Sequence, residues 1–408
     1  FTAGTFDYDK LYQVSYTATV NLNKVIDINF YPIPQTKLSN MKHRPIGLGI
    51  QGLADTLAMM RIPFDSKNAL ELNAKIMETI YLASVTASND LAKQRNEDFT
   101  KFYGLVNKHS VDLSKLPEFY DSSFDIIDQE YLAKYDAYSD PDTEPNVKAL
   151  VDEIEEINKL YHKLKPNIYE LTKLSGDLSG AYSSFIGSYF SEGKFQFDLW
   201  NVKPKFEEKW SELRESVIKY GTRNSLLTAL MPTASTSQIL GNNECFEYFT
   251  NNIYTRNTQA GDFVMVNKYM VNDMLSVGMW NVEMKDKIIA SNGSIQNLEM
   301  LPPQLKELYK TMWEIQQVWV LEAALARSPF VDQTQSMNLF MAKPDYQRLG
   351  SSHVWAWKKG LKTGQYYLRT KPATDAIKFT IDPRLVKTNS INASENKTED
   401  TGCENCSA

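Results

Sequence analysis

The sequence predicts an α/β fold, and two patterns carry the prediction. Apolar residues recur every three or four positions over long stretches, which is the helical period. In the second half of the chain, short strand-like runs alternate with such stretches, which favours α/β layering over separate all-helical or all-β domains. The chain has 408 residues, more than one ordinary compact domain needs.

A helical pattern starts near Asp7, where Leu11, Val14, Val20, Val25 and Ile26 fall on one face. Pro32 and Pro34 break it, and a short apolar segment, Ile46–Ile50, follows His43-Arg44-Pro45. A long helix is expected over Ser66–Arg95, with Ile76, Ile80, Ala83, Ala87 and Leu91 on its inner face and Asp65 or Ser66 as its cap. Residues 104–181 differ from their surroundings. Between Asp121 and Leu160 stand 12 acidic and 3 basic residues, a net −9 in a chain whose total is −6. Such a run reads as a solvated helical insertion. Beyond it the pattern predicts a helix over Lys205–Tyr220, a strand over Ser225–Met231 and a helix over Pro303–Ala326. A strand over Met337–Ala342, a helix near Tyr346–Gly360 and a strand over Gln365–Thr370 complete the series. The expected organisation is therefore 1–103, the insertion 104–181, 182–381, and a polar, disordered tail 382–408.

Composition excludes several function classes. A 42% hydrophobic share suits a globular protein, and no apolar run is long enough for a membrane span. The net charge of −6 argues against a general nucleic-acid surface, which needs a basic face. Three cysteines, Cys245, Cys403 and Cys406, are too few for a disulfide framework and suit a reducing compartment, so a cytoplasmic location is expected. The sequons at Asn392 and Asn396 read as chance in a polar tail. Phe1 opens the sequence without an initiator methionine, so a preceding segment is expected.

Four motifs carry possible chemistry. Gly47-Leu48-Gly49-Ile50-Gln51-Gly52 satisfies the dinucleotide fingerprint literally, but only Ile46 separates it from Pro45, where a full buried strand is required. Close backbone packing explains these glycines better than a nicotinamide site. In Met231-Pro232-Thr233-Ala234-Ser235-Thr236-Ser237-Gln238 a strand runs into a row of hydroxyls at a helix start. Free N–H groups and hydroxyls there suit a phosphate, although an ordinary capped turn has the same spacing. Tyr366-Tyr367 are adjacent on a predicted strand, where neighbours usually face opposite sides and serve packing. Cys403-Glu404-Asn405-Cys406 lacks partners for a zinc site and reads as a redox dithiol.

Taken together, these pieces resemble the eukaryote-type large subunit of class I (aerobic) ribonucleotide reductase. The resemblance rests on Leu38-Ser39-Asn40, His43-Arg44-Pro45-Ile46-Gly47, Gln51-Gly52-Leu53-Ala54-Asp55 and the Met231–Gln238 run. Asn251-Asn252-Ile253-Tyr254-Thr255-Arg256, Ala290-Ser291-Asn292-Gly293-Ser294-Ile295-Gln296, the tyrosine pair and the terminal CxxC extend it in order along nearly the whole chain. It implies the C-terminal part of a ten-stranded α/β barrel. It implies that Thr233, Ala234, Ser235 and Thr236 hold the diphosphate of a ribonucleoside diphosphate. Tyr366, on the substrate side, and Tyr367, facing the small subunit, would relay a radical. Cys403 and Cys406 would re-reduce an active-site disulfide and be reduced in turn by thioredoxin or glutaredoxin. The metal-radical cofactor would belong to the small subunit, with none bound directly by this chain.

The resemblance also implies that the radical-bearing cysteine and its finger loop lie upstream of Phe1, in an N-terminal half that must come from elsewhere. Cys245, in Glu244-Cys245-Phe246-Glu247, follows the hydroxyl run, where the family has no radical cysteine, and reads as a packed thiol. The alternative functions are an inactive remnant that binds nucleotide or the small subunit, and a nicotinamide-dependent dehydrogenase resting on the glycine motif alone.

Overall fold

The structure is a computed structural model that describes residues 4–110, 145–164, 176–258 and 261–371. It divides into two compact units. One comprises Asp9–Leu48 and Thr79–Thr228; the other comprises Gly49–Glu78 and Ala229 onward, together with Phe1–Tyr8. The whole expected tail 382–408, with Cys403 and Cys406, lies outside the described residues, as does most of the acidic run.

The first unit is mainly helical. The helix Tyr8–Ile28 turns inward not its valines but Ser15, Thr19, Asn23 and Ile26, while Val14 and Val25 are exposed. The inward face is polar because it has polar partners. Thr19 Oγ1 donates to Ser84 Oγ at 3.2 Å, and the Asn23 amide oxygen accepts from Arg44. Arg44, left-handed at φ 47° and fully buried, ends the helix Pro34–His43 and donates to both Asp27 oxygens at 2.7 and 2.9 Å. Its carbonyl accepts from Asn224 Nδ2 at 2.9 Å, and Asn224 is bonded in turn to Ser88. That network fixes the start of an extended segment in which Ile46 and Leu48 donate to Leu226 and Leu227. Leu48 and Thr228 form a parallel bridge.

The aromatic core of this unit gathers around Trp210, from the helix Glu207–Tyr220. Its ring centroid lies 4.8 Å from Phe195, 4.9 Å from Phe197 and 5.4 Å from Tyr81. Gly221, at φ 74°, closes this helix where the sequence places its stop.

The long helix spans Lys67–Lys108, past the expected end at Arg95. Ser66 caps it, accepting from the Ala69 N–H at 3.2 Å. Beyond the polar run Asn96-Glu97-Asp98 an apolar stripe resumes, and Phe99, Phe102 and Val106 bury against Ile157, Leu160, Tyr161 and Leu164. Those four lie on the helix Pro145–Leu164, the described part of the acidic stretch. Its Glu153 and Glu156 face Lys108 and Lys101, both at 2.6 Å, so the acidic residues flank an apolar seam.

In the second unit the expected helix Pro303–Ala326 is two, Pro303–Leu308 and Gln317–Arg327. Side chains cut it. Glu314 accepts from the Thr311 N–H at 2.6 Å and from the Ser294 hydroxyl, and the Met312 N–H turns away to Phe249 O at 2.9 Å. The expected strands are shorter than their apolar runs. Ser225–Met231 contributes single bridging residues, including Leu230 beside Gln335, and only Leu339–Phe340 pairs with Leu368–Arg369. These runs pair in parallel, as an α/β fold requires, but no closed sheet forms among the described residues. An antiparallel hairpin, Ile253–Thr258 with Gly261–Val266, was not expected from the pattern. Its second strand is exposed throughout, so burial imposes no alternation on its sequence. No described helix is long and apolar enough to cross a membrane.

Truncating Trp210 to Ala would leave a cavity among three aromatic rings. Chemical denaturation should show a loss of about 3–5 kcal/mol; a loss within 1 kcal/mol would mean that the cluster does not anchor this unit.

Candidate functional site

The hydroxyl run, the tyrosine pair and the glycine motif from Gly49 onward lie in the second unit. Gly49 lies so close to the hydroxyl run that an added Cβ would stand 2.7 Å from Ala229 O and 2.9 Å from Met231 Sδ. Gly52 takes φ 80° beside Asn242, and its N–H donates to Asn243 O at 3.0 Å. Asp55 accepts from the Asn243 N–H at 2.7 Å. Gly49 therefore serves close backbone approach, and Gly52 a left-handed turn.

The hydroxyl run leaves its extended segment at Pro232. Thr233 adopts φ 55°, Ala234 and Ser235 turn, and a short helix, Thr236–Leu240, ends at Gly241. Thr233 Oγ1 accepts from the Cys245 N–H at 2.7 Å, and Thr236 Oγ1 donates to Gln51 Oε1 at 2.9 Å. Two of the three candidate hydroxyls thus shape the turn itself. Ala234, Ser235 and Thr236 are exposed, and their backbone N–H groups meet no acceptor among the described residues. Around them Gln51 Nε2, Ser237 Oγ and Asn242 Oδ1 are buried without a hydrogen-bond partner among the described residues. Buried polar atoms are normally paired, so unpaired groups of this kind are unusual and call for a polar partner.

Cys245 closes the same loop at φ 37°. It is buried, and burial pushes its thiol pKa up to about 12, with the charge of Glu247 adding to the effect. It is held as a neutral thiol. Arg327, wholly buried, lies 3.9 Å from the Phe246 ring centroid and donates to Gln335 Oε1 at 2.6 Å; burial lowers its pKa to about 9.

Tyr366 and Tyr367 lie side by side, ring centroids 4.2 Å apart and planes at 57°, both about half exposed. Adjacent strand residues cannot do this in a regular ladder, and here the ladder slips. Leu339 and Met341 donate to Tyr367 O and Arg369 O, which sets a parallel register in which the Tyr367 N–H should reach Met337 O. Instead the Tyr366 N–H takes Met337 O, at 2.6 Å. The extra residue makes a bulge, and both rings emerge together. The displaced Tyr367 N–H donates to Asn338 Oδ1 at 3.1 Å. Tyr366 has its pKa raised above the ordinary tyrosine range, first by a hydrogen bond with the Tyr367 phenol and then by that phenol's charge when ionised. The guanidinium of Arg369 stands 5.3 Å from the Tyr367 ring centroid.

Sequence reasoning passed over Glu247 and Asn338. Asn338 Nδ2 donates to Glu247 Oε1 at 2.5 Å. Burial raises the Glu247 pKa to about 7, against the opposing effects of the Asn338 bond and the Arg369 charge. The only local signal was an acidic residue inside an otherwise apolar run, Cys245-Phe246-Glu247-Tyr248-Phe249.

The ribonucleotide reductase barrel-domain family matches residues 1–157 and 158–367. The chain belongs to the ribonucleotide reductase family. It is 41% identical over 405 residues to the ribonucleoside-diphosphate reductase large subunit of Caenorhabditis elegans, covering 98% of this chain and 41% of that protein. It is 42% identical over 384 residues to the corresponding subunit of Dictyostelium discoideum, covering 94% and 34%. This ribonucleotide reductase chain thus spans about two fifths or less of these relatives. Among solved structures, the Actinobacillus ureae class Id ribonucleotide reductase alpha subunit shares the fold, with a TM-score of 0.52 at 21% identity over 89% of this chain and 46% of that one.

The raised pKa of Glu247 has a consequence for stability. The folded chain holds this proton between the ordinary carboxylate pKa and about 7, where the unfolded chain releases it. This contribution to stability should therefore be fully present below pH 4.5, decline as pH rises toward 7, and level off above. Glu247→Gln should remove this decline and be more stable than the parent at pH 8 by about 1–3 kcal/mol. Equal pH dependence of the two denaturation profiles would contradict the assignment.

Proposed function

We propose that this chain is the C-terminal part of a ribonucleoside-diphosphate reductase large subunit. It takes part in reducing ribonucleoside diphosphates to deoxyribonucleoside diphosphates by a radical mechanism, once an N-terminal half and the small subunit join it. The observation that carries this reading is the tyrosine pair. Two phenols in ring contact on a half-exposed surface suit coupled proton and electron transfer, because each can lose an electron and a proton together without becoming a high-energy cation. The neighbouring phenol gives the proton somewhere to go. In this reading Tyr367 faces the small subunit, which carries the metal-radical cofactor, and Tyr366 faces the substrate.

The parallel extended segments would be later strands of a ten-stranded α/β barrel that closes only with the rest of the subunit. Thr233, Ala234, Ser235 and Thr236 would hold the diphosphate. Free N–H groups on the turn and unpaired polar atoms around it support that role, and the engaged Thr233 and Thr236 hydroxyls make backbone N–H groups and the Ser235 hydroxyl its main donors. Cys403 and Cys406 would re-reduce the active-site disulfide and pass their own disulfide to thioredoxin or glutaredoxin in the cytoplasm. Cys245, buried and neutral, is unsuited to replace the radical cysteine.

Tyr366→Phe and Tyr367→Phe should each abolish turnover in the assembled enzyme while nucleoside diphosphate binding stays within about twofold, since one hydroxyl is lost and no packing. Activity in both variants would overturn the relay. Mixed with the small subunit and reductant alone, the chain should form no deoxyribonucleotide. Adding an N-terminal half that carries the finger loop should restore formation, and product without it would return Cys245 to consideration.

A further inference from the structure

The tyrosine pair depends on a backbone defect, and a defect needs something to hold it. A one-residue bulge leaves the Tyr367 N–H without its ladder acceptor, and a buried or half-buried N–H left unpaired would favour return to the regular register. In that register Tyr366 and Tyr367 would point to opposite sides and the ring contact would be lost. Asn338 supplies the substitute acceptor through its Oδ1. It lies on the partner segment, between Met337, which receives the Tyr366 N–H, and Leu339, which donates to Tyr367 O.

A side-chain amide fills this role only in one orientation, because rotation about its last bond exchanges an acceptor for a donor. The orientation is set from the other end. Asn338 Nδ2 donates to Glu247 Oε1, so the carboxyl takes the NH2 side and leaves the oxygen for Tyr367. Glu247 is anchored in its own loop, where its backbone carbonyl accepts from Asn243 Nδ2 at 2.7 Å. The charged groups that act on Glu247 are Arg369, whose guanidinium also stands by the Tyr367 ring, and Glu244; Glu247 in turn acts on the neighbouring Cys245 and Arg327.

We infer that Asn338 and Glu247 are positioning residues of the tyrosine pair: Glu247 orients the Asn338 amide, and the amide locks the bulge that brings both phenols to one side. Neither residue is offered as a carrier of the radical. The importance of the lock for turnover rests on the relay reading above, whereas the lock itself is a property of this chain.

The test reads the pair directly and needs no turnover. A 3-fluorotyrosine placed at position 366 of the full chain reports its ionisation through its fluorine resonance. In the parent it should ionise above the free amino acid, because the Tyr367 phenol holds its proton. Asn338→Leu should move the ionisation back toward the free value, with far-ultraviolet circular dichroism unchanged. Glu247→Ala should move it in the same direction, and Glu247→Gln, which keeps an acceptor for Asn338 Nδ2, should restore the parent value. An unmoved ionisation in folded Asn338→Leu would overturn the inference. Should that variant not fold, the Glu247 pair decides, and an Ala variant that titrates like the parent, or a Gln variant that fails like Ala, overturns it equally. Active Phe variants would overturn the relay and leave these titrations as they are.

Discussion

Every backbone N–H and C=O withdrawn from water must find a partner, and this constraint shapes the chain more than any single apolar contact. Its extended segments are too short and irregular to satisfy themselves, so side chains complete them. Asn224 receives the start of one such segment by donating to the Arg44 carbonyl. The Thr233 hydroxyl accepts the Cys245 N–H at a left-handed turn, and Asp55 accepts the N–H of Asn243. Asn338 accepts the N–H that the tyrosine bulge displaces. The polar residues that look scattered in the sequence are therefore structural partners of specific backbone atoms.

The same constraint separates the two chemical regions. At the hydroxyl turn the protein's own bonds use Thr233 and Thr236 to build the loop and leave N–H groups outside. The result is a site whose donors are mostly backbone, fixed in place by the turn and unable to rotate away. At the tyrosine pair the backbone is completed by a side chain, and the phenols are free to interact with each other. The two regions share none of these side chains.

The described part of the acidic stretch shows how charge and packing divide a helix. Pro145–Leu164 buries Ile157, Leu160, Tyr161 and Leu164, while Glu153 and Glu156 reach lysines on the long helix. These exposed pairs add little stability by themselves. The apolar seam supplies the attraction, and the pairs fix which face of the helix meets it.

Much of the helical framework was legible in the sequence, because helices depend on local spacing and caps. Ser66 and Gly221 start and stop helices where their residue type says they should. The family was legible too, through motifs in order rather than any one motif. What the sequence could not show was where non-local partners override local preference. Val14 and Val25 face outward because the opposite face of their helix has hydrogen-bond partners far along the chain. The helix from Pro303 is cut because Ser294 and Phe249 bind its middle. Tyr366 and Tyr367 share a side only because Met337 and Asn338, some thirty residues away, take their N–H groups out of register. Periodicity reports what a segment prefers alone, and the tertiary fold decides which of its backbone atoms are already spoken for.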